Sequence, residues 1–496
     1  MRILYIDIDS LRPDHLGCYG YHRNTSPNID RIAQDAVRFE NCYVSDSPCL
    51  PSRTALFSGR YGFQTGVVGH GGTSAQPFVE GPSREFSDTF ARTSWMSLLG
   101  KLGHRTASVS SFGQRHGAWH WYAGFNDIMN SGGHGNEIAD DVTPLALDWL
   151  SRHGGDDNWF LHVNYWDAHL HYRTPEEFGN PFENDPPPDW ITQDYLDASQ
   201  DACGMRCAQE ALGGGWGTED DINSYKDFPR EPAQLKTVDD IKTWIDGYDV
   251  AIRYVDTHIG ILFDRLSELG VMDDVMVVIS ADHGESLGEL NVWGGHHLAD
   301  YWINRVPLIV RYPGKTNGGR VDSALHYQFD WAATLLELLG GDVPDVWDGE
   351  SFADSFQQNI EGGRDYLVLS HAAMTAQRSV RFDDYQYIRT YHDGYKLLDP
   401  ELLFNIIDDP HEMQNLAEQF PDVIHKATHY LTQWHSDMIA KSSTAVDPMV
   451  MVLKEGAPYH SQGKLIPYLQ RLRGTGRAHL ADRLIERHPS DLSAGD

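Results

Sequence analysis

Asp274 to Gly284 reads DVMVVISADHG. Its unbroken apolar run, rich in β-branched residues, fits a strand buried on both faces rather than one with a wet side. An Asp-His pair follows at the strand's C-terminal end, where α/β sheets bind their ligands. Working outward, similar runs recur as ILYIDI (Ile3–Ile8), RTASVSS (Arg105–Ser111), WFLHVNYW (Trp159–Trp166) and PLIVRYPG (Pro307–Gly314). Amphipathic segments lie between them. In SPNIDRIAQDAVRFENCY, Ser26–Tyr43, residues Ile29, Ile32, Ala33, Ala36 and Val37 keep helical spacing behind a Ser26 cap and a Pro27 start. A second helix is predicted from about Ile241 to Leu269, burying Ile245, Val250, Tyr254, Ile259 and Leu266. The alternation predicts an α/β fold with a mostly parallel sheet covered by helices.

A chain of 496 residues has room for one large domain and a smaller one. The larger is placed at residues 1–364, with a Pro- and Gly-rich insertion at about 178–236 that reads as a functional lid. From Asp365 the pattern changes to strands (DYLVLS, SVRFDDYQYIRTYH, YKLLDP) and then the helix PDVIHKATHYLTQWHSDMIAK. That predicts a smaller antiparallel-sheet subdomain over 365–496, whose polar tail is either packed or a partner arm.

Charge and composition exclude several functions. A net charge of −33 argues against nucleic acid, whose phosphates need a basic surface. It leaves room for a small anion wherever a site supplies local positive charge. No apolar stretch nears the ~20 residues of a membrane span, and Met1-Arg2 runs straight into a strand, so a cytoplasmic protein is expected. Five cysteines are an odd and sparse set, unlike a disulfide framework. Self-association is left open.

SPCLPSRTALFSGR, Ser47–Arg60, places Cys49 where a loop becomes a helix, with Pro51 early in it and Gly59 as a stop. Free N–H groups there make an anion site, and Arg53 one turn on adds a guanidinium. The residues alone allow either a nucleophile facing an anion or a small buried cysteine beside a structural arginine.

The stretch CLPSRTALFSGR, Cys49–Arg60, resembles the signature C-x-P-S-R-x-x-L-x-x-G-R of the type I, formylglycine-dependent sulfatases of the alkaline phosphatase superfamily. LRPDHLGCYG, DHGESLGE, NRVPLIVRYPG and YKLLDPELLFNIIDDPHEMQNLA follow in family order and extend the resemblance over about residues 1–430. It implies that a formylglycine-generating enzyme converts Cys49 to Cα-formylglycine. The hydrated aldehyde offers one hydroxyl to attack sulfur and a second to expel sulfate by elimination.

The resemblance also implies that Asp9, Asp282, His283 and modified Cys49 hold one divalent ion, Ca²⁺ in the first place. The chain departs from the family in having Asp9-Ser10 for two aspartates and His283 for asparagine. Phosphonate monoester hydrolases and choline sulfatases share these departures, and a mixed O/N shell also suits Mn²⁺ or Mg²⁺. Ser10 is expected beside the ligands rather than among them.

Where the family carries a lysine and histidine to hold sulfate, this chain has Ser111 and Gly113, with Arg115 and His116 just downstream to refill the roles. His169 matches a sulfate-contacting histidine. His296 takes the place of a family lysine, and its imidazole can donate a proton to the leaving alcohol. His297 is the adjacent competitor; His70 and His134 lie in Gly-rich loops, and Trp119, Trp121, Tyr122 and Trp293 are candidates to stack on a sugar. Cys203 and Cys207 carry no clear metal motif. The expected function is hydrolysis of a small sulfated sugar. The alternatives are a phosphonate monoester hydrolase or phosphodiesterase on the same frame, and a non-catalytic anion-binding relative.

Overall fold

A computed structural model describes residues 1–80, 88–206, 210, 215–216, 228–316 and 318–492. Its strands are β1 (Arg2–Ile8), β2 (Val37–Tyr43), β3 (Asp46–Ser47), β4 (Arg105–Val109), β5 (Asp127–Met129), β6 (Trp159–Tyr165), β7 (Val275–Ser280), β8 (Leu308–Arg311), β9 (Arg320–Tyr327), β10 (Tyr366–His371), β11 (Ala376–Phe382), β12 (Tyr385–His392) and β13 (Glu401–Asn405). The first sheet runs β5-β4-β6-β1-β7-β8-β2-β9. It is parallel from β5 to β7, while β8 lies antiparallel to both its neighbours. The continuous apolar runs occupy its centre: all of β6 and β7 is buried, as is β1 after Arg2. The expected mostly parallel, helix-covered sheet is therefore present, and its central strand ends point Asp9 and Asp282 toward one crevice.

The Val238–Glu268 helix covers one face, opened by a Thr237–Asp240 capping box. Its five expected core positions, Ile245, Val250, Tyr254, Ile259 and Leu266, are all buried. The reading of Ser26–Tyr43 as one helix is corrected. The helix stops at Ala33, and Val37–Tyr43 is β2, paired with β8 and β9. Ala36 and Val37 are buried because they enter a sheet, and two elements together happened to keep a helical spacing. Ser26 donates to Asp30 and accepts from the Gly17 N–H instead of capping.

The second sheet runs β13-β12-β11-β10-β3, antiparallel except where two-residue β3 joins β10. This join stitches the C-terminal sheet to the chain immediately before Cys49. YKLLDP, expected as a strand, is irregular: Tyr395 and Leu397 take positive φ, and the strand begins at Glu401. The helix expected after it spans Pro421–Lys441.

The tail is packed. Its helices Leu465–Gly474 and Ala478–Arg487 bury Leu469, Leu472, Leu480 and Leu484 against Trp216 and Tyr395, while the helix Pro448–Lys454 packs Met449 and Val452 against Val68, Ala372 and Ala376. A buried polar clasp pins its end: His392 Nε2 lies 3.0 Å from Asp491, and His488 Nε2 lies 2.8 Å from Asp393. Part of the expected 178–236 lid, Cys207 included, lies outside the described residues. Among the described residues no helix is long and apolar enough to cross a membrane.

Candidate active site

Cys49 begins a ten-residue helix, Cys49–Ser58, in which every residue is buried. Gly59 ends it at φ 64°, where an added Cβ would sit 2.1 Å from the Trp347 ring, so both backbone and space demand glycine. The Cys49 Sγ is 3.1 Å from His283 Nε2. Burial and the charges of Asp9 and Asp282 push this thiol well above the usual range. An unmodified thiol here is therefore a poor nucleophile.

Arg53 carries the charge beneath it. Its Nε donates to Asp7 at 2.9 Å, and its Nη1 to Asp9 at 3.0 Å and Asp282 at 2.5 Å. Phe112 and Trp166 cover its faces, with centroids 4.9 and 5.4 Å from the guanidinium carbon. Asp7 was not expected at the site. It also meets His162 Nε2 at 3.2 Å, whose Nδ1 lies 3.0 Å from Ser108 Oγ. Its signal was available: a lone carboxylate inside ILYIDI, a strand with no wet face, needs a buried cation.

Asp9, Cys49, Asp282 and His283 are all buried, and each offers a ligand atom within 4.8 Å of the others. Ser10 Oγ donates to Asp9 Oδ1 at 2.9 Å, and the N–H groups of Ser10 and His283 donate to Asp282 Oδ1 at 3.2 and 3.0 Å. Ser10 thus orients both carboxylates. Asp7, Asp9 and Asp282 surround a single guanidinium, and all four side chains are buried. Burial and the charges of Asp9 and Asp7, only partly offset by Arg53, push Asp282 well up. Glu285 beside them is raised likewise, by burial and then Asp9. Excess negative charge on hard oxygens, with one imidazole, fits a divalent cation.

A cavity of about 570 Å³ opens above this cluster, lined in part by Arg115, His116, His169 and His296. The four residues expected to handle sulfate thus share one wall. Arg115 Nη2 lies 3.4 Å from His169 Nε2, and its guanidinium stacks 5.0 Å from the Trp166 ring. The His296 ring packs 4.2 Å from His283 and 5.2 Å from His169. Burial, then Arg115, holds His169 down to about 3. Burial and then the imidazoles of His283, His169 and His70 hold His296 well below its ordinary range. An arriving anion reverses the sign of that field and favours the protonated rings.

The chain's departure at Gly113 has a steric cause: a Cβ there would sit 2.5 Å from the Tyr122 ring, so a histidine does not fit. Ser111 instead accepts from the Gly135 N–H at 3.0 Å. Trp121 and Trp293 are core residues, and neither they nor Trp119 and Tyr122 line the cavity. Among the described residues the indole that lines the cavity is Trp216, which the sequence reading passed over, as it did Arg173, His460 and Lys464.

With this geometry in hand, comparison with known proteins identifies the class. The sulfatase family model matches residues 2–341, and a model of the N-sulphoglucosamine sulphohydrolase C-terminal region matches 300–437. The chain belongs to the sulfatase family and is a sulfuric ester hydrolase. It is similar to an N-acetylglucosamine-6-O-sulfatase of Bacteroides thetaiotaomicron, 22% identical over 476 residues covering 84% of this chain and 82% of that one. A solved structure in complex with its substrate D-glucosamine-2-N,6-O-disulfate superposes with a TM-score of 0.68 at 20% identity, covering 90% of this chain and 99% of its own. A phosphonate monoester hydrolase from Silicibacter pomeroyi superposes at 0.65 with 19% identity, over 90% and 96%. These structural likenesses establish the shared fold.

Proposed function

We propose that this protein hydrolyses the sulfate ester of a small sulfated carbohydrate, using residue 49 as formylglycine beside one divalent cation. The observation that carries the reading is the cavity: cations and imidazoles line it, and three of those imidazoles, His70, His116 and His296, lie within 4.8 Å of the Cys49 sulfur. Asp9, Asp282 and His283 would hold the cation, Ca²⁺ in first place, with Mn²⁺ or Mg²⁺ as alternatives. The cation would lower the pKa of an oxygen nucleophile presented to it. Arg53 fixes the carboxylates, and Arg115, His116 and His169 take the sulfate oxygens. His296 gives its proton to the leaving alcohol, a role that the bound anion supports by offsetting burial.

The resemblance favours maturation of Cys49, and its raised thiol pKa agrees with a precursor role. Co-expression with a formylglycine-generating enzyme should raise activity, with peptide mass spectrometry finding the aldehyde at residue 49. Full activity from the unmodified thiol would remove this mechanism. The single substitution of Ser10 for a second carboxylate, with Asp282-His283, keeps a phosphonate monoester hydrolase as the second reading. A substrate panel separates the two: sulfated mono- and disaccharides should outpace phosphonate monoesters and phosphodiesters. Faster turnover of a phosphodiester than of every sulfate would transfer the protein to the second reading. Division at residue 364, cytoplasmic residence and any homo-oligomer belong to the same proposal, tested by expressing the pieces, by fractionation and by light scattering.

A further inference from the structure

Two imidazoles beside Cys49 present buried nitrogens with nothing to bond. His70 Nε2 and His116 Nε2 are both shielded from solvent, and among the described residues neither has a hydrogen-bond partner. The two rings pack 4.8 Å apart, and each offers a nitrogen within 4.8 Å of the Cys49 sulfur. Separate elements bring them there. His116 closes the short helix Phe112–Arg115, its ring against Phe112 at 5.2 Å. His70 follows a turn in which the Val68 and Gly69 N–H groups both donate to the Ser74 carbonyl, at 2.9 and 3.1 Å. A third ring supports His70 from behind, His460 Nε2 lying 3.1 Å from His70 Nδ1. That contact suits a metal ligand: when Nδ1 carries the proton and donates it to His460, the Nε2 lone pair is free for a cation.

A thiolate and two imidazoles form a borderline donor set, which favours Zn²⁺ and its neighbours over the hard cations that carboxylates hold. Bonds of about 2.3 Å to sulfur and 2.0–2.1 Å to nitrogen set such atoms roughly 3.5 Å apart around a tetrahedral ion. Small ring rotations therefore close the site. The two histidines stand outside the Asp9, Asp282 and His283 group and share only the Cys49 sulfur with it. Arg53 and Arg115 oppose a cation at this sulfur, while Asp9 and Asp282 favour one more strongly. We propose that the unmatured chain, with Cys49 still a thiol, binds a Zn²⁺-like ion through Cys49, His70 and His116, with water in the fourth position. The thiol proton leaves to solvent as the sulfur–metal bond forms. Conversion of residue 49 to formylglycine would remove the sulfur, so the site belongs to the precursor and maturation would erase it.

The test uses the full chain from a host without a formylglycine-generating enzyme, its intact thiol verified by mass spectrometry. After chelator stripping, excess Ca²⁺ is added to occupy the carboxylates, and Co²⁺ is titrated as a coloured stand-in for Zn²⁺. One equivalent should bind with a thiolate-to-Co²⁺ charge-transfer band, and Zn²⁺ should displace it. Cys49→Ser and the matured chain should lose the band. His70→Ala and His116→Ala should each weaken binding about a hundredfold or more, and His460→Ala about ten- to a hundredfold, as for an outer partner of a ligating histidine. The two ligands lie on different elements, so a folding failure of one variant leaves the other to decide. Absence of the band in wild type, or an unchanged affinity in the histidine variants, would overturn the site. Turnover of sulfate esters by the matured chain tests the sulfatase reading separately, so the two can fail independently.

Discussion

Replacing Asp7 with Asn takes one charge from beneath Arg53 and alters little else. Arg53 Nε and His162 Nε2 both meet the same Asp7 oxygen, Oδ2, at 2.9 and 3.2 Å, and an asparagine oxygen in that place can still accept from both. A hydrogen bond to a charged partner stabilises by about 1.5–3 kcal/mol and a neutral one by about 0.5–1.5 kcal/mol. The guanidinium keeps its charge, so the expected loss is near the low end, about 1–1.5 kcal/mol, or roughly tenfold in rate. Asp7→Leu is harsher, because Arg53 Nε and His162 Nε2 both lose their acceptor in a site with Arg53 only 1% exposed. Breaking a buried pair on one side costs about 3–5 kcal/mol, so this variant should fall a hundredfold or more and melt earlier. The assay is kcat and KM on an aryl sulfate, normalised to formylglycine content by mass spectrometry and to metal by elemental analysis. Combining Asp7→Asn with Arg53→Lys should cost less than the sum of the two, because one acts through the other. Strict additivity, or wild-type kcat in Asp7→Asn, would show that Asp7 does not position Arg53.

Asp282→Ala should lose bound metal and activity together, whereas Ser10→Ala should keep most of both, since the Ser10 backbone N–H still donates to Asp282; elemental analysis of the two variants decides. Gly113→His, which restores the residue type usual in the family, should lower solubility and melting temperature rather than raise activity, given the Tyr122 ring 2.5 Å from its Cβ. His488→Ala should loosen the tail: hydrogen exchange in Ala478–Arg487 rises while β1 and β7 keep their protection. Burial alone would raise Asp393, but the hydrogen bonds from His488 and Arg487 prevail and hold it to about 2. Its folded pKa being depressed, that contribution is complete above about pH 4 and is lost as pH falls toward 2. Acid exchange profiles of wild type should show the tail opening in that window, and an unchanged tail at pH 2 would refute the clasp.

The sheet's centre was legible because β1, β6 and β7 are buried on both faces, so each appears as a mostly apolar run, interrupted in β1 by Asp7 and in β6 by His162 and Asn164. The same logic made Asp7 readable in principle, and it was overlooked because its partner, Arg53, lies 46 positions away and across a sheet crevice. Ser26–Tyr43 misled for a local reason. Burial at Ile29, Ile32, Ala36 and Val37 has two different origins, and periodicity counts burial without asking which neighbour supplies it. Most of the residues proposed to hold metal and sulfate could be placed by motif because they follow a strand end or open a helix, positions that backbone hydrogen bonding fixes. The outer wall had no such anchor. Lys464 and His460 precede a helix whose sequence announces only its buried stripe, Leu465, Leu469 and Leu472. Where the flanking residues point depends on how the tail docks, and that is set by His392, Asp393, His488 and Asp491, a contact joining residues almost a hundred positions apart. The end of the cavity proposed for catalysis is therefore written in local motifs, whereas the end that would recognise the sugar is assembled by long-range packing. Substitutions in the clasp should accordingly alter KM for a sulfated sugar before they alter turnover of an aryl sulfate.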